Sequence, residues 1–266
     1  MSKHVAFILS PLHGILEDAS GILADGVGKM LSNKSAEYIL YSTFLKMTGA
    51  QEQKLKCVCW EIATDNYEFR YKWQSGQFSP GECSSLDDKQ KVLNILYKQI
   101  SEKDSTFTFA DSDRSIIINS AVLRVEKFLN TSMIKYTMNR THQDEFRIWR
   151  STFKELQNYP ACILDVQPTN KNPFKIIIKR ESYPQALKNA LFVGWDDLFQ
   201  LQYNHRNRCA HNTASYQETD MALFRNLGQV DLYRYNYLIF FTLLLIIDDI
   251  TIKLFKNYLE LYIDEY

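Results

Sequence analysis

The sequence predicts an all-α protein, and three observations carry that prediction. Glycine and proline are scarce, at nine and six in 266 residues, about half their usual share; turns are therefore few and the elements between them long. Glu82 to Tyr159 contains neither residue, and beyond Gln185 there is no proline and only Gly194 and Gly228, as long helices require. Apolar residues recur at helical spacing through most of these stretches. A composition of 45% hydrophobic and 23% charged residues describes a folded domain and excludes a disordered chain. Basic and acidic residues balance at 31 each, which excludes a bulk polycation but not a local basic site.

The elements follow in chain order. Residues 1–33 carry four glycines and support a short helix or two. Ser35 to Lys46 forms a helix with Tyr38, Ile39, Tyr41, Phe44 and Leu45 spaced along it, and Glu52 to Trp73 a second. Ser75 to Gly81 is a loop. Leu86 to Glu102 is amphipathic, with Val92, Leu93, Leu96, Tyr97 and Ile100 on one face. Ser105 to Ala110 alternates as a short strand or connector would. It marks the candidate boundary between a helical N-terminal extension, 1–105, and a helical bundle, 106–266. Ser112 or Asp113 caps a long helix running through Ala121, Val125, Phe128 and Leu129. Another helix ends near Gln157, before Pro160. Residues 165–175 form a second loop, followed by a strand-like Lys175–Lys179 too short to make a sheet alone. Pro184 opens a helix capped by Ser182, and Trp195 to Tyr203 continues it.

Gln229 to Ile263 reads as one final helix. It is apolar nearly all round from Tyr237 to Ile247, then narrows to a stripe at Ile250, Leu254, Phe255, Tyr258, Leu261 and Tyr262. Its 11-residue apolar run falls short of the ~20 needed to cross a membrane, so it is expected to be a core or dimer-interface helix. The acidic end from Asp248 is expected to be a solvated face. Val5 to Leu9 is too short for a signal-peptide core. Five scattered cysteines, Cys57, Cys59, Cys83, Cys162 and Cys209, suit reduced, mostly buried thiols in a cytoplasmic protein.

Arg206-Asn207-x3-His211 is the segment that carries chemistry. From 11 Arg, 16 Asn and five His, this spacing is expected by chance roughly 0.01 times. In a helix, positions four apart differ by about 40° and positions five apart by about 140°. Asn207 and His211 therefore share a face, with Arg206 at its rim. An imidazole, a fixed amide and a guanidinium suit RNA cleavage without a metal, the substrate's 2′-hydroxyl being the nucleophile. His211 would be general base or acid. Arg206 would grip the scissile phosphate. Asn207 would orient the imidazole or donate to a phosphate oxygen. Residues 171–211 hold seven Lys/Arg against three acids, so Lys188, His205 and Arg208 are candidate RNA contacts. His205, Cys209 and His211 have the chemistry of metal ligands, but no fourth ligand lies near in the sequence; neither a metal nor a cofactor is expected.

The wording Arg206-Asn207-Arg208-Cys209-Ala210-His211 resembles the Arg-x4–6-His motif of the HEPN superfamily. A weaker similarity lies in Ser120 to Leu129, where many members carry an early helix with an acidic residue before an aromatic–leucine pair; Glu126 is the matching acid. The resemblance covers about residues 110–266. It implies a HEPN-like helical bundle, a metal-independent endoribonuclease and a homodimer with a joint cleft. It also implies a role in prokaryotic defence, with an antitoxin or defence-system protein as partner. Other members are catalytically silent and bind nucleotide, RNA or protein. An accessible Arg206/His211 pair favours the enzyme, and a pair blocked by the N-terminal region favours the binding module. A structural bundle carrying a chance motif is the remaining alternative. Residues 1–105 resemble no family.

Overall fold

A computed structural model of the chain describes residues 2–25, 33–109, 111–131, 149–150, 153, 157, 195–211 and 237–263. Its elements are helices throughout: α1 (Lys3–Leu9), α2 (His13–Asp25), α3 (Asn33–Asp65), α4 (Tyr67–Gln74), α5 (Leu86–Lys103), α6 (Asp111–Thr131), α7 (Trp195–His211) and α8 (Tyr237–Ile263). The all-α prediction holds, and no strand occurs among the described residues. Residues 107–109 are an irregular connector. The strand-like Lys175–Lys179 and the helix opened by Pro184 lie outside the described residues.

Local chemistry fixes several helix starts. Ser2, Asn66 and Ser85 each accept a backbone N–H three residues on, at 3.1, 2.9 and 3.1 Å, which satisfies an otherwise orphaned donor. Asp87 and Asp88 lie in the first turn of α5 and Lys103 in its last, as the helix dipole favours. The loop before α5 needs Gly81. Its φ is +59°, and a Cβ there would sit 2.6 Å from the Asp88 carboxylate.

The N-terminal half differs from its sequence reading in two respects. The expected pair of helices on either side of residues 47–51 is one 33-residue helix, α3, running through Gly49. Phe44, Met47, Thr48, Gln51, Lys54, Leu55 and Val58 are all buried around it. That burial outweighs the ~1 kcal/mol cost of an exposed helical glycine. The break comes later, at Asn66, where its carbonyl oxygen starts α4. Arg70 then reaches back, donating from Nε to Ala63 O at 2.6 Å and from Nη2 to Thr64 O at 2.9 Å, which closes the end of α3.

α8 is the central helix, packed against α1, α3, α5 and α6. From Tyr237 to Asp248 every residue is buried. One continuous core includes residues on both sides of position 105. Thr242, the polar interruption of the apolar run, donates to Leu238 O at 2.7 Å and accepts the Trp149 indole N–H at 2.9 Å. No helix of the described residues is long and apolar enough to cross a membrane.

The start of the acidic C-terminal stretch is not a solvated face. Asp248 is 1% exposed, and its Oδ1 lies 2.6 Å from Lys54 Nζ. Its Oδ2 accepts the Leu12 N–H at 2.7 Å. Lys54 also donates to Ser10 O. One buried pair thus joins the α1–α2 elbow, α3 and α8. Asp249 accepts Arg124 Nη1 at 2.8 and 2.9 Å, joining α6 to α8. Two adjacent aspartates at the end of an apolar run give no sign in the sequence of the cations that meet them.

Lys54→Met removes one partner of the buried pair and strands the other. Urea unfolding is expected to show a loss of about 3–5 kcal/mol. Lys54→Met combined with Asp248→Leu is expected to regain most of it, because no unpaired charge then remains inside.

Candidate active site

α7 lies on α3, held by a stripe of inward side chains. Phe199, Gln202, His205 and Cys209 are buried, at the three- and four-residue spacing of one helical face. Gln202 Nε2 donates to Phe240 O at 3.2 Å. Tyr41 OH donates to Cys209 O at 3.0 Å, satisfying a carbonyl in the last turn of α7. This docking turns Arg206 and Asn207 to the rim of the α3–α7 contact. His211 is the last residue of α7, one turn beyond Asn207 on the same helical face.

Arg206 is held on two sides. Its Nη2 donates to Glu52 Oε2 at 2.7 Å and its Nη1 to Asn207 Oδ1 at 3.0 Å. The Arg206 side chain is 23% exposed and that of Glu52 12%. Of the five N–H donors of a guanidinium, three make no hydrogen bond among the described residues. The ion pair is therefore an oriented cation with donors still available at its open side.

Further charged groups converge on the pair. Lys56, one turn from Glu52, meets Glu82 at 2.6 Å. Lys89 is buried, and its Nζ donates to Gln51 Oε1 at 2.7 Å. The Gln51 amide donates in turn to Leu244 O at 2.9 Å. Burial pulls the Lys89 ammonium down to about 8; Glu52 opposes that shift and Arg206 adds to it. Cys83 sits beside this group, its thiol pushed up to about 12 by burial, so it is an inert side chain rather than a nucleophile.

The residues singled out from the sequence divide as follows. Arg206 and Asn207 are in contact. Asn207 uses its carbonyl oxygen to accept from Arg206, and its amide N–H groups make no hydrogen bond among the described residues. The side chains of His211 and Arg208, and all of Lys188, lie outside the described residues. His205, expected to face RNA, does not: it is 4% exposed and packed against Phe44, Tyr237 and Phe240, with ring centroids 5.3–5.8 Å away. Its Nε2 lies 3.1 Å from Tyr237 OH and 3.6 Å from Cys209 Sγ. Its position on the inner stripe of α7 explains the difference. Glu126, the expected acidic support, is on α6 and makes no ion pair among the described residues. The acid on Arg206 is Glu52.

No family model, no curated protein and no solved structure matches the chain. Among the described residues, no group of three or more His, Cys, Asp or Glu side chains could hold a metal ion.

Sequence reasoning missed Glu52 and Lys89. Glu52 had no local signal, since its partner is 154 positions away. Lys89 had one: it falls three and four residues before Val92 and Leu93, on the buried face of α5.

The Lys89 shift has a measurable consequence. Its proton leaves the folded protein near pH 8 but the unfolded chain only near ~10.4. Between those values the unfolded chain binds more protons, so stability rises with pH. Unfolding free energies at pH 7.5 and 10 are expected to show a rise in the wild type, relative to Lys89→Met, of about 2 kcal/mol.

Proposed function

We propose that this protein is a metal-independent endoribonuclease of the HEPN type, with Arg206 and His211 catalytic and Asn207 supporting. The observation that carries the reading is Arg206 itself, fixed between Glu52 and Asn207 with donors to spare, on the same helix as His211. His211 would take the proton of the substrate's 2′-hydroxyl. The 2′-oxygen then attacks the adjacent phosphorus, the bond to the 5′-oxygen of the next nucleotide breaks, that oxygen takes a proton from water, and His211 returns its own proton to the solvent. The products are a 2′,3′-cyclic phosphate and a 5′-hydroxyl. The unused N–H groups of Arg206 would meet the charge that builds on the phosphoryl oxygens.

Homodimerisation, a cytoplasmic role in prokaryotic defence and an antitoxin or defence-system partner belong to the same reading. The second reading is a catalytically silent module that binds nucleotide, RNA or a partner protein. One contact favours it: Glu52, from the N-terminal region, already occupies part of Arg206.

Incubating the protein with a mixed RNA pool in EDTA separates the two. The ribonuclease reading expects cleavage with 2′,3′-cyclic phosphate ends, reduced at least ~100-fold in Arg206→Ala and His211→Ala. A folded wild type that leaves every RNA intact points to the binding module.

Glu52 sets a second expectation. Glu52→Gln keeps a hydrogen-bonding oxygen but removes the charge that neutralises Arg206. In a His211→Ala background, single-stranded RNA should bind several-fold more tightly. The slope of log K against log salt should steepen by ~0.7, the value of one more phosphate contact.

A further inference from the structure

The outer end of α3 carries an aromatic cleft away from the Arg206 motif. Trp60 is 58% exposed, which is unusual for so large an apolar side chain. α4 folds back beside it and brings Trp73 into edge contact, with centroids 5.5 Å apart and planes at 65°. The two indoles, with Ala63, Thr64, Arg70 and Gln74, line a cleft of about 490 Å³, within the range of small-ligand sites.

Its polar groups are specific. The two bonds that close α3 hold the Arg70 guanidinium in place. Its Nη1 makes no hydrogen bond, and the residue has no carboxylate partner among the described residues. This is a fixed cation with its charge unneutralised. Gln74 is exposed, and its amide makes no hydrogen bond among the described residues, leaving a donor and an acceptor at the rim. Flat π-faces, a rigid cation and a free amide together fit a flat, hydrogen-bonding, anionic ligand. A nucleotide has all three properties. An apolar peptide would leave the cation unused, and an acidic one would leave the indole faces unused.

We propose that the Trp60–Trp73 cleft is a subsite for one nucleotide of single-stranded RNA, with the base on the indoles and the phosphate on Arg70. The choice of RNA rests on the ribonuclease reading above. The placement suits a shared strand. Glu52, which holds Arg206, lies eight residues before Trp60 on the same helix, about 12 Å along its axis. That is roughly four stacked nucleotide steps at ~3.4 Å. Gln74 would meet the edge of the stacked base.

The test measures binding, not cleavage, using His211→Ala protein. The probes are a fluorescein-labelled eight-nucleotide oligoadenylate and an abasic strand of equal length. Oligoadenylate is expected to bind more tightly than the abasic strand and to quench tryptophan fluorescence. Trp60→Ala is expected to weaken oligoadenylate about tenfold and leave the abasic strand unchanged. Trp60→Tyr, which keeps a stacking face, is expected to restore most of the binding. Because Trp60 is exposed, circular dichroism should show all three proteins equally folded. Equal affinity for the two strands, no binding of either, or a Trp60→Ala protein that binds like its parent overturns the subsite. The last result would turn the aromatic surface over to a protein partner. The two proposals fail separately. Trp60-dependent binding without cleavage by the wild type removes the ribonuclease and keeps the subsite. Cleavage that depends on Arg206 and His211, with binding indifferent to Trp60, does the reverse.

Discussion

The buried pair between Lys54 and Asp248 is the constraint on which the rest of the structure depends. Both side chains are almost wholly enclosed, so each charge is tolerable only because the other is present. Burial pushes the Asp248 carboxyl up, against the pull of Lys54 and of the Leu12 N–H. The pair also uses a backbone carbonyl and a backbone N–H from the α1–α2 elbow. Apolar packing alone would let α8 rotate or slide against α3 at modest cost. An ion pair with three directional contacts admits one register.

That register carries through to the candidate site. Three residues before Lys54, Gln51 bonds to the α8 backbone and to Lys89. Two residues before it, Glu52 turns to the other side of α3 and takes Arg206. The site is therefore built on the helix that the core fixes most firmly. α7, which carries the motif, is placed by His205 and Gln202 reaching α8 beside Phe44 of α3. Arg206 thus sits where α3 and α7 meet, its direction set by Glu52 on one helix and Asn207 on the other.

The legible part of the sequence was the part governed by periodicity. α5, α6 and the apolar stretch of α8 followed from spacing alone, although α6 starts at Asp111, before its expected caps Ser112 and Asp113. Long-range polar pairing was not legible. Lys54, Asp248, Glu52 and Arg124 look like surface charges in one dimension, and only their partners, 125 to 194 positions away, make them interior groups. The gap between the helices expected at Ser35–Lys46 and Glu52–Trp73 was not a break, because burial on both flanks of Gly49 carries the helix through it. At the motif, the spacing put Arg206 at the rim of the Asn207–His211 face but gave no warning that Asn207 accepts from it or that His205 belongs to the core.

α3 is one unbroken rod from Asn33 to Asp65, and this limits how the chain can change over evolutionary time. Each inserted residue would turn everything beyond it by ~100°. A single insertion between Glu52 and Trp60 would leave the first half in phase with α8 and swing the second half away. Changes of length are therefore excluded from this helix. They are accommodated more readily in Ser75–Ser85, where the chain already leaves helical geometry and Gly76 and Gly81 supply the left-handed turns. Relatives of this protein should differ in length there and keep the count between Glu52 and Asn66 unchanged, as a screw thread keeps its pitch while its head varies.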